Sequence, residues 1–453
     1  MKTMFISHYD IRVFYKCPML LYLNKHGPQE EKEIHPIIKK RHKTSIPSIS
    51  PEFVKTELKK TLNLIKKGVD NINQKWMFYN QLSTKIDKLK KIDENSVFGS
   101  YAYEPVFTRG NIPLRKPLVM EGVFTAYICS QFQNIDLNYF ILQREKEREK
   151  FTFSEEIDTL LSDLPRIKKI LEDDIDISPN YTRGCRVCEW RIYCRNLAKE
   201  TSDLTLISGI GKRIKKELKA IGINNVKDLA EVDIAKISNE IAHKKELTYF
   251  KLQAKAIVEK KVIVRQKVVF PKNKIELFVD IEGSSHHDFI WIIGCFIRIE
   301  DKVEYRSFLA NSPKEEKEMI VSFFKFLSEF EDDFIIYHWS SAEPQYFKQL
   351  TEKYNLQVTN LSKILKNSFD LFPIFKENII LPLYSYTLKE VANWLGFQWH
   401  DPLSDGATSI VLFDKWYIEK NKKALQKAIS YNSDDCRALI ITKDYLIKNL
   451  SDY

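Results

Sequence analysis

Asp280 and Glu282 stand two residues apart in "LFVDIEG", residues 277–283, at the end of an apolar run. On a β-strand residues i and i+2 project from one face, so the two carboxylates point the same way. Two like charges that close, and partly out of water, repel unless a cation sits between them. A divalent metal meets that need, and Mg²⁺ or Mn²⁺ takes hard oxygen ligands. More ligands should then lie downstream. "DDFIIYHWSSAE" reads as a strand ending in Glu343, and "ISYNSDDCRALIITKDYLI" reads as a helix with Tyr431 and Asp435 four apart on one face. The plainer reading is that Asp280 and Glu282 cap a strand and Tyr431 packs in a core. Asp370 in "FDLFPIF" is either a helix cap, the favoured reading, or a further ligand.

The surrounding segments supply the elements that must hold these groups. "DFIWIIGCFIRIE" and "KVEYRSFLA" read as strands that continue the Asp280 strand into a three-stranded meander. "PKEEKEMIVSFFKFLSEF" has helical apolar spacing. Upstream, "RQKVVFPKNK" reads as an extended linker.

A second group of residues is sulfur chemistry. "GCRVCEWRIYCRN" places Cys185, Cys188 and Cys194 as C-x₂-C-x₅-C, and Cys17 in "FYKCPMLLYL" lies far upstream. Three thiolates at short spacing need a fourth to complete a tetrahedral or cubane site. Cys129, Cys295 and Cys436 have no such pattern and read as core residues.

A third group is basic. Between Gly211 and Val268 there are 15 Lys and Arg against 7 Asp and Glu, a local +8 within a whole-chain +10. That imbalance is either a solvated surface or the electrostatic footprint of nucleic acid. Inside it, "LISGIGKRIKKELKAIGI" sets Gly209 and Gly211 before a basic amphipathic helix. The glycines permit a tight turn whose N–H groups can face a phosphate at the helix start, with Lys212 and Arg213 adding charge there. An ordinary packing corner between helices is the alternative.

Length and composition bound the rest. At 453 residues, with 44% hydrophobic and 12% aromatic residues, the chain is a folded protein of two or three domains. No apolar run reaches the eighteen or so residues of a membrane span. The N-terminal "MKTMFISHYD" lacks an apolar signal core, so a cytoplasmic location is expected, where thiols stay reduced.

"FVDIEG", "YHWSSAE" and "YNSDD" resemble, in order, the three motifs of the ribonuclease-H-like DEDD exonucleases with a Tyr-x-x-x-Asp third motif. The resemblance extends to the YprB-like branch fused to RecB-type nuclease domains. It implies that Asp280, Glu282, Glu343 and Asp435 hold two Mg²⁺ or Mn²⁺ and that Tyr431 orients or deprotonates the attacking water. Glu343 and His338 depart from the family's usual Asp and Asn. The glycine turn resembles a helix-hairpin-helix, which grips nucleic-acid backbone without reading bases. The cysteine layout resembles the iron–sulfur RecB-like nucleases, which implies a [4Fe–4S] cluster on Cys17, Cys185, Cys188 and Cys194, with structural zinc as the alternative. That family's PD-(D/E)xK pattern would put its first acid at Thr125 in "EGVFTAYI" and the acid and lysine of its acid-x-Lys at Gln143 and Glu145 in "YFILQREK"; a shifted register would enlist Glu121 and Lys146. The metal site therefore reads as lost there.

The expectation is an α/β multidomain protein. Residues 1–200 would form a degenerate RecB-like fold with the cysteine site, 201–268 a helix-hairpin-helix domain, and 273–453 a ribonuclease-H-like mixed-sheet exonuclease. The implied function is metal-dependent hydrolysis of nucleic acid, 3′→5′ from single-stranded ends. DNA is favoured over RNA, no membrane is involved, and a helicase or another repair or defence protein is a conceivable partner. The alternative is a non-catalytic binding or assembly subunit built from nuclease folds.

Overall fold

The computed structural model describes residues 4–34, 49–108, 113–144, 147–175, 177–237, 244–284, 289–330, 333–356, 361–401 and 406–450. The chain divides into two compact units that part between Pro179 and Asn180. The cysteine triplet consequently falls in the second unit, whereas the sequence boundary expected at residue 200 grouped it with the first. Residues 180–200 are tied to later parts of the second unit: the Tyr181 N–H donates to Thr205 Oγ1 at 2.8 Å, and Arg195 pairs with Glu390.

The first unit is a six-stranded sheet with helices. Its strands are β1 (Ile6–Ser7), β2 (Asn71–Tyr79), β3 (Leu82–Ile92), β4 (Ala102–Thr108), β5 (Tyr139–Gln143) and β6 (Arg148–Thr152). They are ordered β1-β3-β4-β5-β6, with β2 also on β3. β4 and β5 run parallel, joined through the helix Lys116–Gln133. That helix is apolar nearly all round and is buried from Met120 through Ala126, as such a helix must be. It begins with a proline in its first turn and ends at Asn134, whose φ of 53° is left-handed.

"EGVFTAYI", where the first acid of the PD-(D/E)xK pattern was sought, lies within this helix. Thr125 there shares a buried hydroxyl hydrogen bond of 2.8 Å with Thr84, and Glu121 is buried 3.6 Å from Arg12 Nη1. Gln143 ends β5, while Glu145 and Lys146 lie outside the described residues.

The second unit carries a helical segment and a second sheet. Helices Lys212–Ala220, Val226–Glu231 and Lys244–Glu259 pack Ile210, Leu218, Leu229, Leu247 and Phe250 into one small core. β7 (Ile263–Val264) leads through extended chain to β8 (Ile275–Ser284), β9 (Phe289–Ile299), β10 (Lys302–Leu309), β11 (Phe334–His338), β12 (Ser368–Asp370) and β13 (Ile379–Ile380). The sheet order is β10-β9-β8-β11-β12, with β13 paired to β7 apart from it. β8 to β10 form the expected antiparallel meander, and β11 and β12 run parallel to β8 and to each other in turn.

Side-chain alternation along β8 fixes the layers. Leu277, Val279 and Ile281 enter a core with Met319, Ile320 and Phe323 of the helix Glu316–Ser328. Phe278 points the other way, into a core with Cys436, Leu439 and Leu446 of the helix Lys422–Leu450. Asp280 and Glu282 share the parity of Phe278, so they emerge toward that long helix. Among the described residues, no helix is long and apolar enough to cross a membrane.

Candidate metal and nucleic-acid site

The central strand and the long helix bring three carboxylates together. One ligand oxygen from each of Asp280, Glu282 and Asp435 lies within 4.8 Å of the others, and among the described residues this is the one such group of His, Cys, Asp or Glu. β8 carries the first two just before a register shift at Glu282/Gly283. Bulges of this kind commonly re-aim side chains at strand ends.

Each acid is held by a different neighbour. Asn432 Nδ2 donates to Asp280 Oδ2 at 2.7 Å and to its carbonyl at 3.1 Å, and Asn432 Oδ1 accepts from the Tyr305 hydroxyl at 2.8 Å. Ser409 Oγ donates to Glu282 Oε2 at 2.7 Å. Trp399 Nε1 donates to Asp435 Oδ1 at 2.7 Å. None of these three positioning residues was singled out from sequence. Asn432 sits inside the "YNSDD" motif, which is the only local signal that any of them offered.

The electrostatics are those of a site short of positive charge. Burial first, and then the charges of Glu282 and Glu343, push the Asp280 carboxyl well above its ordinary range, against the pull of Asn432. Burial and Asp280 do the same to Asp435, opposed by Trp399, Tyr431 and Lys389. Burial, then Asp435, Glu282 and Asp280, push the Tyr431 phenol up strongly. A hard divalent cation among these oxygens would relieve the crowding, and the all-oxygen donor set suits one.

Glu343 stands apart from the trio. β11 ends at His338, and Glu343 lies beyond it in the first turn of the helix Ala342–Lys353, not at the strand end expected from sequence. Its buried Oε2 has no hydrogen-bond partner and lies 3.5 Å from His338 Nδ1, which faces the Ser340 carbonyl at 2.6 Å. Burial raises the Glu343 carboxyl and His338 opposes the shift. An orphaned buried carboxylate oxygen is costly, and a second cation or an ordered water would satisfy it. Asp370 instead accepts from the N–H groups of Ser340 at 2.8 Å and Phe372 at 2.9 Å, which makes it a loop cap.

The other two groups of residues lie elsewhere. Cys185 and Cys188 occupy a tight 3₁₀ turn, Arg183–Val187, and its end; Cys194 is in the first turn of the helix Arg191–Glu200. The Thr182 N–H points at Cys185 Sγ, 3.4 Å away, a donor that a thiolate ligand would accept. Cys17, between two helices, belongs to the first unit. Cys129, Cys295 and Cys436 are buried, as core residues are. Gly209 has the left-handed φ of 98°, and a Cβ there would come within 2.9 Å of Phe250. Gly211 caps the basic helix in extended conformation with open space around its Cα, so its lack of a side chain is not forced by the fold. Lys212 and Arg213 are exposed. Lys215, from the same basic run, is instead buried in an ion pair with Asp203.

No curated protein matches the chain. A solved structure titled "Crystal structure of SSO0001" overlaps 42% of this chain and 85% of its own, at 13% identity and a TM-score of 0.23, too slight a likeness to carry an argument. Residues 277–447 match the sequence profile of the RNase H superfamily, and this part of the chain is a ribonuclease-H-like domain.

Proposed function

We propose that the chain is a metal-dependent nuclease that hydrolyses phosphodiester bonds, working 3′→5′ from single-stranded ends. The observation that carries this reading is the trio Asp280, Glu282 and Asp435, with ligand oxygens within 4.8 Å on a ribonuclease-H-like sheet. Mg²⁺ or Mn²⁺ at these oxygens supplies Lewis-acid stabilisation of the scissile phosphate and a water activated at neutral pH. Glu343, with its orphaned oxygen, completes the set for a second ion. The protein's own part is positioning. Asn432, Ser409 and Trp399 each spend a hydrogen bond on fixing one carboxylate, so the oxygens are arranged before substrate arrives. Tyr431, one turn before Asp435 on the same helix, is assigned the role of orienting or deprotonating the attacking water.

The test uses the purified full chain with end-labelled single- and double-stranded DNA and RNA. Release of mononucleotides from the 3′ end of single-stranded DNA with Mn²⁺, stopped by EDTA, is expected. Internal cuts, or degradation from the 5′ end, would contradict the exonuclease assignment. The alternative of a binding or assembly subunit draws on Glu343 lying outside the trio, and absence of cleavage with any divalent metal would favour it.

The basic helix is assigned the grip on the strand. Replacing both Lys212 and Arg213 with Ala should weaken binding to all sequences alike and lower the salt dependence by a slope of about 1–2, with cleavage at saturating substrate retained. Unchanged binding in a salt titration would remove that role.

The first unit is proposed to be a RecB-like fold without a working metal site, and the four cysteines to hold a [4Fe–4S] cluster or zinc. The donor chemistry supports a metal: three thiols at C-x₂-C-x₅-C spacing, one of them facing an N–H donor. Protein purified without oxygen should contain about four irons per chain if the cluster is a cubane. One zinc per chain would select the alternative, and neither metal would end both readings.

A further inference from the structure

We propose that Arg195 is a positioning residue for the nuclease site: from the cysteine-bearing helix it clamps the short helix Leu388–Trp394 against Trp399 and Tyr431, and so keeps Asp435 in place. This rests on the nuclease reading above. The short helix has seven residues, and its cap is the Thr387 hydroxyl, which accepts from the Glu390 N–H at 3.2 Å. So short a helix is not stable alone, and whatever packs on it decides where it stands.

One edge of this helix backs the site. Leu388 and Ala392 pack in a single apolar cluster with Trp399 and Tyr431, and Lys389 Nζ stands 5.5 Å from the centre of the Trp399 ring. Trp399 Nε1 in turn donates to Asp435 Oδ1. At about 100° per residue, Glu390 projects roughly 160–200° away from Leu388 and Ala392, from the opposite edge.

That outward carboxylate meets Arg195, which follows Cys194 in the helix Arg191–Glu200. The Arg195 side chain is 37% exposed and that of Glu390 24%, and the other Glu390 oxygen, Oε2, is buried with no hydrogen-bond partner among the described residues. A carboxylate so placed depends on its guanidinium, because removing one partner leaves a half-buried charge uncompensated. One turn after Arg195, Lys199 Nζ lies 5.9 Å from the centre of the Tyr384 ring, in the chain that enters the short helix. The buried Gln253 amide holds the same stretch, donating to the Leu383 carbonyl at 3.4 Å while accepting from the Ser208 N–H at 2.9 Å. Loss of the Arg195 contact lets the short helix shift, and Trp399 and its hydrogen bond to Asp435 shift with it. Outer partners of metal ligands contribute about 10–100-fold to metal affinity or activity, and Arg195, acting through the helix, belongs at the low end.

The full-length wild type is compared with Arg195→Glu, Glu390→Lys and the double variant, which restores the pair with its charges exchanged. Mn²⁺ affinity is read from the paramagnetic resonance of the free ion, alongside steady-state cleavage of end-labelled single-stranded DNA and amide hydrogen exchange. Each single variant should weaken Mn²⁺ binding about tenfold and lower kcat at the Mn²⁺ level that half-saturates the wild type. KM for the strand should not change, since the basic helix Lys212–Ala220 is untouched. Exchange should quicken across residues 388–399 and stay as in wild type across β9 and β10. The double variant should return all of these to wild-type values. Should Arg195→Glu melt below the assay temperature, Arg195→Gln is read in the same way. Wild-type Mn²⁺ affinity and exchange in both single variants, or a double variant as impaired as they are, overturns the clamp. So does exchange that quickens alike across the whole second unit, which would make Arg195 a general support. In each of these cases wild-type cleavage leaves the nuclease reading standing. If the wild type binds Mn²⁺ and cleaves nothing, the nuclease reading falls, and Mn²⁺ affinity and exchange alone decide the clamp. If it binds no Mn²⁺, both fall.

Discussion

Asp280→Ala is expected to abolish Mn²⁺-dependent cleavage, by about 10³-fold or more, while nucleic-acid binding through the basic helix stays nearly intact. Removing one carboxylate of the trio leaves a cation under-coordinated where it must stabilise developing charge. Tyr431→Phe should act more gently, because it keeps the packing and removes only a hydroxyl; a loss of roughly 10²-fold is expected of a proton-handling group. The same carboxylate carries a stability signature. Its folded-state pKa is raised by burial, Glu282 and Glu343, so the folded protein binds the proton more tightly than the unfolded chain. Without metal, Asp280 therefore costs stability as pH rises from the ordinary carboxylate range through its raised value, and the cost is complete above it. Asp280→Asn should accordingly melt higher than wild type in EDTA at neutral pH, with the gap closing on acidification and shrinking when Mn²⁺ is added. Thermal melts across pH check this; a gap that ignores both pH and metal would mean the acids are not crowded.

Gly294→Ala is expected to damage the site from behind. Gly294 sits opposite Asp280 in the β8–β9 ladder, and a Cβ there would stand 1.7 Å from Asn432 Oδ1 and 2.9 Å from the Tyr305 hydroxyl. Asn432 would have to leave, and with it the hydrogen bond that holds the Asp280 carboxylate. Overpacking of this kind costs about 1–3 kcal/mol, and cleavage should fall by about 10²-fold from misplacement of one metal ligand. Asn432→Ala alone should lose comparable activity. In that background Gly294→Ala should cost little more, giving a coupling of about 1 kcal/mol or more in a double-mutant cycle. Additive effects on melting and on kcat would show that the glycine and the asparagine do not act through each other.

What the sequence made legible was whatever is written in local periodicity. The i, i+2 parity of Asp280 and Glu282, the i, i+4 face of Tyr431 and Asp435 and the meander that begins at β8 all depend on nearest neighbours along the chain. Asn432, Ser409 and Trp399 were missed because each acts across the fold, on a carboxylate that only tertiary packing brings near. Gly294 reads as a weak spot in a strand, and its cause is the side chain of a helix more than a hundred residues away. Glu343 was placed at a strand end because the loop after His338 has no strong breaker; the strand stops there and the acid rides on the next helix. The cysteine triplet was grouped with the first domain through its resemblance to the iron–sulfur RecB-like nucleases, and its neighbours Tyr181 and Arg195 bond to Thr205 and Glu390 of the second unit.

The central claim is that Asp280, Glu282 and Asp435 hold divalent metal for phosphodiester hydrolysis. Anomalous diffraction at the manganese edge from crystals soaked in Mn²⁺ tests it most directly. A peak within ligand distance of all three carboxylates, with a second toward Glu343 and both lost in Asp280→Ala, is the expected result. A cleavage-competent protein with no manganese at these carboxylates would contradict it.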